Sequence, residues 1–303
     1  MFTLRQYLLA LLDSRGLTRT LGEIDVCRDE QGRPCFSAGN SAAVFRIRLG
    51  GRIRSLRCYL RPMRHLKEIY GQRLLEKELY LHTSPETGVW VDTVLGDWIE
   101  GSTLHETVAQ AAALRDRESL QILVRLFDRL ALALVTDDRA HGDLKPENII
   151  VGDDGTLCPI DFDASYLPAF AGEISPELGT AAYQHPARTA ADFDERIDDY
   201  PAALISTALH ALAEDPTLWD RYGSSDGLLY TPQRIASDPA YRETLALFEK
   251  RGMAVQYRIA QLLTAPTLRL FGLAELLAEA VREKPAARSG TEAETPEPVS
   301  YTH

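Results

Sequence analysis

The sequence predicts an α+β protein of two lobes, a small β-rich one followed by a larger, mainly helical one. Three observations carry this. Between Gly22 and about Trp98, short apolar runs alternate with Gly-, Pro- and Asp-containing turn signals, with one stretch of helical periodicity among them. After Gly101 the period changes, and Leu120, Leu123, Phe127, Leu130 and Leu134 step by three and four along one helix face. Between the two halves runs a short connector, an arrangement that places a cleft where small-molecule sites are commonly found.

The elements follow in order. Residues 1–20 predict an amphipathic helix packed on the body, with apolar residues at helical spacing and neither a basic leader nor a small-residue cleavage site. Residues 21–98 form the expected small lobe. Glu23–Cys27 and Pro34–Ala38 read as strands around the Asp29–Gly32 turn, and Ala43–Leu49 and Arg52–Leu60 as a hairpin about Gly50-Gly51. Pro62 ends that strand, His65–Leu81 is expected as one helix, and Val89–Trp98 as further strand. Residues 99–283 are the expected connector and large lobe. Two short apolar runs there, Asn148–Val151 and Leu157–Ile160, flank an Asp153-Asp154-Gly155 turn. Residues 284–303 are Pro-, Glu-, Thr- and Ala-rich without apolar period and are expected to be disordered.

Composition narrows the function classes. With 33 Lys and Arg against 44 Asp and Glu the chain carries a formal charge of −11, poorly suited to a polyanion, so no nucleic-acid partner is expected. The Arg-rich run from Arg46 to Arg64 reads as solvated strand faces. Cys27, Cys35, Cys58 and Cys158 lack the Cys-x-x-Cys spacing of thiolate metal sites and are expected to be reduced, although a hairpin could bring Cys27 and Cys35 together. No apolar stretch is long enough to span a bilayer, so the expectation is a cytoplasmic protein without a membrane partner.

The chemistry concentrates in two motifs. His141-Gly142-Asp143-Leu144-Lys145-Pro146-Glu147-Asn148 presents Asp143, Lys145 and Asn148 from one turn. Phosphoryl transfer needs an acceptor for the substrate hydroxyl proton, a cation near the migrating group and an oxygen ligand for magnesium, and this triplet supplies one of each. Pro159-Ile160-Asp161-Phe162-Asp163 then places the Asp161 carboxylate at the end of a buried strand, suited to a hard cation.

These motifs, in this order, resemble the catalytic loop and metal-binding motif of the protein-kinase superfamily. The resemblance implies a bilobal kinase-like fold, ATP and Mg as cofactors, Asp143 as catalytic base, Lys145 at the γ-phosphate, and Asn148 and Asp161 as metal ligands. It extends over about residues 34–280. Ser37, Gly39 and Ala42 fall at the positions of a glycine-rich loop, and Val44 would pack on adenine. Arg57 stands where the family has its strand lysine, with Glu76 expected as its ionic partner and Glu68 and Glu78 as rivals. Val94–Gly101, including Asp97 and Trp98, resembles the adenine-receiving hinge, with Gly96 at the gatekeeper position opening an apolar pocket, or else marking a strand kink. Thr180 is expected beside Asp143 and Lys145, as in Ser/Thr-directed kinases, Asp198 as the brace of the catalytic loop, and His141 as packing beneath it.

Four departures qualify the resemblance. Arg57 replaces Lys, Gly142 replaces an Arg that docks activation-loop phosphate, Asp163 replaces Gly and adds a carboxylate near the metals, and Ala187 replaces a salt-bridging Glu. Gly142 and Asp163 also occur in the small-molecule aminoglycoside- and choline-kinase-like branch. The expected activity is an ATP-dependent Ser/Thr protein kinase acting on a protein substrate. The alternatives are a small-molecule kinase and a nucleotide-binding pseudokinase. Arg57→Lys is expected to retain or raise activity in a working enzyme.

Overall fold

The structure, a computed structural model, describes residues 1–283; the tail expected to be disordered lies outside the described residues. Thr3 starts the first helix, α1 (Leu4–Leu12), through a capping box with Gln6, each side chain accepting the other residue's backbone N–H. The buried face of α1 (Tyr7, Ala10 and Leu11) packs on the sheet, and the Tyr7 hydroxyl donates to the Tyr59 carbonyl at 2.6 Å.

Strands β1 (Asp25–Val26), β2 (Phe36–Ala38), β3 (Ala42–Leu49) and β4 (Arg52–Tyr59) come next. Leu49 faces Arg52 across a two-residue loop, and both Gly50 and Gly51 have positive φ (55° and 79°), the geometry a tight hairpin of matching twist requires. Along β3 and β4, Phe45, Ile47, Leu56 and Cys58 point into the core with Leu79 and Leu81. Each such fully buried side chain contributes roughly 1.5–3 kcal/mol. The opposite face carries Val44, Arg57 and Val94 in register, with Ser55 facing Gly96. Cys27 and Cys35 do meet across their hairpin, the Cys35 N–H donating to the Cys27 carbonyl at 2.8 Å, and their thiols are free.

The helix expected over His65–Leu81 is not formed. Instead α2 spans only Leu66–Tyr70, a 3-10 turn follows, and β5 (Leu74–His82) pairs antiparallel with β6 (Gly88–Asp97). The apolar residues Leu74, Leu75, Leu79 and Leu81 fit either period, and an edge position in the sheet decides between them. A bulge between Leu75 and Leu79, with Lys77 at φ 49°, turns Glu78 inward. The sheet runs β1-β3-β4-β6-β5 with β2 also on β3.

The remainder is helical. Strand β7 (Gly101–Thr103) leads into α3 (Leu104–Ala113), capped by a Thr103–Glu106 box, and α4 (Arg117–Thr136), capped by Asp116. A small sheet joins β7 to β8 (Ile149–Gly152) and β9 (Leu157–Pro159). The central helix α5 (Asp199–Glu214) is buried along nearly its whole length, including Leu204, Ile205, Leu209 and Leu212. Around it pack α6 (Leu218–Tyr222), α7 (Pro239–Arg251), α8 (Ala254–Leu262) and α9 (Leu273–Arg282). The chain is therefore α+β, a curled antiparallel sheet N-terminal to a helical region, compatible with the bilobal fold expected. Among the described residues no helix is long and apolar enough to cross a membrane.

Candidate active site

The loop from His141 to Asn148 is fixed from below and from both sides. Asp198, buried just before α5, accepts the His141 N–H at 2.5 Å and the Gly142 N–H at 3.0 Å, the bracing expected of it. Burial pushes the Asp198 carboxyl above the usual range, and its two N–H donors and the neighbouring His141 and Arg188 oppose that rise. His141 is buried, its ring against Phe162 and its Nε2 paired with the Ile160 carbonyl at 2.8 Å, so it packs beneath the loop. Gly142 has φ 80°, and a Cβ there would lie 2.0 Å from the Ala164 carbonyl oxygen. The glycine is needed for this close approach, whatever else an Arg would have done there.

Above this base stand the predicted reacting groups. Thr180 donates its N–H to Asp143 Oδ1 at 2.6 Å, and Lys145 Nζ donates to Thr180 Oγ1 at 2.9 Å. Lys145 also lies 3.4 Å from Asp143 Oδ2, while Asn148 Nδ2 donates to the Asp143 carbonyl at 2.9 Å and to Oδ2 at 3.2 Å. The structure thus brings Asp143, Lys145, Asn148 and Thr180 together.

Asp161 follows β9 in the left-handed backbone region (φ 67°, ψ 64°), a conformation costing of order 1–3 kcal/mol for a residue with a Cβ. Such outliers persist where the surroundings over-determine them. Its carboxylate, 40% exposed, accepts from Arg57 Nη2 at 2.5 Å. Asp163 is different. It is 3% exposed, and both its oxygens are occupied: Oδ2 by Arg57 Nη2 at 2.5 Å and Nε at 3.0 Å, Oδ1 by the Tyr59 hydroxyl at 3.1 Å and the Tyr70 hydroxyl at 2.6 Å. A carboxylate with its acceptor sites filled by four donor contacts has none to give a metal. Asp163 is therefore the anchor of Arg57.

This corrects the expected pairing of Arg57. Glu76, on β5, is exposed and lies 3.4 Å from Lys67; Glu68 is exposed on α2. Glu78 is buried and accepts from the backbone N–H of Arg19, Thr20 and Leu21. Without the long helix, no glutamate of this segment is delivered to Arg57. Burial alone would lower the Arg57 pKa, but Asp161 and Asp163 outweigh it and hold the guanidinium charged.

Of the remaining predicted nucleotide contacts, Val44 shares the sheet face of Arg57, whereas Asp97 pairs with Arg54 and so falls on the opposite face. Val44 faces Arg57 in the β3–β4 register, and Gly39 sits in the exposed turn between β2 and β3, its N–H donating to the Ala42 carbonyl at 2.9 Å. Trp98 lies under the Arg46 guanidinium, 5.6 Å from its centre, with Arg46 ion-paired to Glu100. Asp97 is exposed and lies 3.3 Å from Arg54. Gly96 continues β6 opposite Ser55, and a Cβ there would meet the Ser55 hydroxyl at 2.8 Å. A side chain at this position would first meet that hydroxyl.

Several contributors escaped sequence reasoning. Tyr59 shares the face of Arg57, two residues on along β4, a spacing that could have found it; Tyr70 carried no signal. Arg188 donates to the Gly142 carbonyl at 3.0 Å and pairs with Gln184, so an Arg from the far end of the segment flanks the position where the resemblance lacks one. The segment between is held to the sheet side by Arg61 with Glu177, and by His65, which pairs with Glu173 at 3.0 Å and packs on Phe170.

The donor set fits magnesium bound together with nucleotide phosphates. Asp161 and Asn148 supply oxygens, as hard cations prefer, and magnesium typically takes one or two carboxylates and completes its shell with phosphates and water. Among the described residues no cluster of three His, Cys, Asp or Glu side chains stands ready to hold a metal by itself.

Known proteins share a distant likeness in sequence. No family profile matches the chain. CBL-interacting protein kinase 17 of Oryza sativa subsp. japonica is 28% identical over 172 residues, covering 54% of this chain and 35% of that protein. Serine/threonine-protein kinase PknL of Mycobacterium tuberculosis is 34% identical over 113 residues, covering 35% of this chain and 27% of PknL. The relationship is kinase-like. The matched part spans about a third or less of the length of these relatives.

Proposed function

We propose that the protein is an ATP- and magnesium-dependent phosphotransferase acting on Ser or Thr hydroxyls of a protein substrate. The observation that carries this reading is the convergence of Lys145, Asn148 and Thr180 on Asp143. Asp143 accepts the proton of the attacking hydroxyl, and Lys145 sets a positive charge beside the transferring group. Asn148 and Asp161 would hold the magnesium, which would neutralise the charge of the phosphates. Arg57 provides the cation on the sheet side. Thr180 positions Asp143 through its N–H and Lys145 through its hydroxyl, which supports acceptance of a hydroxyl on a peptide running past this segment.

The test is incubation with labelled ATP and magnesium, with and without a generic protein acceptor, beside Asp161→Ala. Label on Ser or Thr of protein, absent from the Asp161→Ala sample, is the expected result. A phosphorylated small molecule without protein labelling would move the assignment to the aminoglycoside- and choline-kinase-like branch. Nucleotide binding without any transfer would make the protein a pseudokinase.

A further inference from the structure

Arg57 is held by two carboxylates that are not equivalent. Asp163 is buried, and every donor it meets comes from the sheet side: Arg57 and Tyr59 from β4, Tyr70 from α2. Asp161 is 40% exposed, touches only the Nη2 end of the guanidinium, and belongs to the proposed metal ligands. Arg57 Nη1 makes no hydrogen bond among the described residues. The Asp163 bond fixes the plane of the guanidinium through two adjacent nitrogens, a grip that a single-point ammonium cannot reproduce.

We propose that Asp163, supported by Tyr59 and Tyr70, is the positioning group of Arg57, and that this cage does the work expected of a carboxylate on the helix that α2 has lost. Asp163 keeps the guanidinium aimed while Asp161 is the exchangeable partner, free to turn from Arg57 when nucleotide and metal arrive. The freed part of Nη2 and the unpartnered Nη1 then face the phosphates. Because Asp163 lies two residues from Asp161, the sheet is tied directly to the metal-binding turn, and no separate helix has to swing in to assemble the site. This rests on the nucleotide-binding reading above.

The test is a double-mutant cycle read as the dissociation constant of a fluorescent ATP analogue with magnesium, on the full chain. Arg57→Ala and Asp163→Asn should each weaken binding about tenfold or more, the loss expected when a charge-assisted contact is removed. If Asp163 acts through Arg57, the double variant should bind no worse than Arg57→Ala alone. Losses that multiply in the double variant, or an Asp163→Asn protein that binds like wild type, would overturn the proposal. Tyr70→Phe leaves every charge in place and guards against misfolding of the charge variants. It should weaken binding several-fold while lowering the melting temperature by only a few degrees, and wild-type affinity in it would count equally against the cage. A wild-type protein that binds no nucleotide at all would instead sink the phosphotransferase reading, and the proposal with it.

Discussion

Replacing Asp198 by Ala and its neighbour Asp199 by Asn should move stability in opposite directions, although burial raises both carboxyls. Asp198 accepts two loop N–H groups, and removing it orphans both. A buried unsatisfied donor costs about 1–3 kcal/mol, so two cost roughly 2–6 kcal/mol, from which the relieved desolvation of the carboxylate is subtracted. A net loss of about 2–4 kcal/mol corresponds to a fall in melting temperature of roughly 5–15 °C. Among the described residues Asp199 accepts only the Leu270 N–H, at 3.2 Å, which an Asn carbonyl can also accept. Burial pushes its carboxyl up to about 6 from the usual 3.8. Because the folded state binds this proton more tightly than the unfolded chain, its stabilising contribution is complete below the usual value and is lost as pH rises through about 6. At pH 7 the ionised carboxylate costs the folded state up to about 3 kcal/mol, and Asp199→Asn removes that cost. Thermal unfolding of the three proteins at pH 4 and pH 7 reads both effects. The Asp199→Asn protein should gain on wild type between those values, and Asp198→Ala should melt lower at both. A neutral Asp198→Ala, or a stability difference between wild type and Asp199→Asn that does not change with pH, would refute the reasoning.

Other expectations follow from the same contacts. Asp161→Ala should abolish magnesium-dependent ATP turnover, and Asn148→Ala should weaken it less, since only the former removes a full charge; steady-state rates against magnesium concentration check this. Phosphatase treatment should leave activity unchanged. Ser165 and Ser175 are buried, the former donating to the His141 carbonyl and the latter to the Glu177 carbonyl, and neither is presented to a modifying enzyme. Arg57→Lys, which the sequence alone predicts to be tolerated, should instead weaken nucleotide binding about tenfold, because an ammonium cannot hold Asp163 through two adjacent nitrogens. Gly96→Phe should lower stability by about 1–3 kcal/mol unless Ser55→Gly is added, since the new side chain must displace the Ser55 hydroxyl from its bond to the Asp97 carbonyl; denaturant midpoints measure the rescue.

The parts of the fold legible in the sequence are those with one dominant local signal. The Gly50-Gly51 hairpin, the long helix α4 and the turn between β8 and β9 all fall where period and turn chemistry place them. The stretch after Pro62 is different. Its leucines satisfy helix and strand periods alike, and the outcome depends on pairing with β6 and on the bulge that buries Glu78, neither of which is local. The site divides in the same way. Asp143, Lys145 and Asn148 come from one short motif, so their meeting could be foreseen, and the approach of Thr180 and Asp198 to that loop with it. The partner of Arg57 could not. Asp163 lies 106 positions away, and choosing it over Glu76 requires knowing that α2 stops at Tyr70 and that two tyrosine hydroxyls complete the carboxylate's shell.

The central claim is that Asp143 accepts a proton during phosphate transfer from ATP. Its most direct test is the single-turnover rate of transfer to a Ser/Thr peptide mixture in wild type and Asp143→Asn, with nucleotide affinity measured alongside. The account predicts a rate lower by about 10²-fold or more with nucleotide affinity changed little, the range of a lost general base. Equal rates in the two proteins, with ATP bound by both, would contradict it.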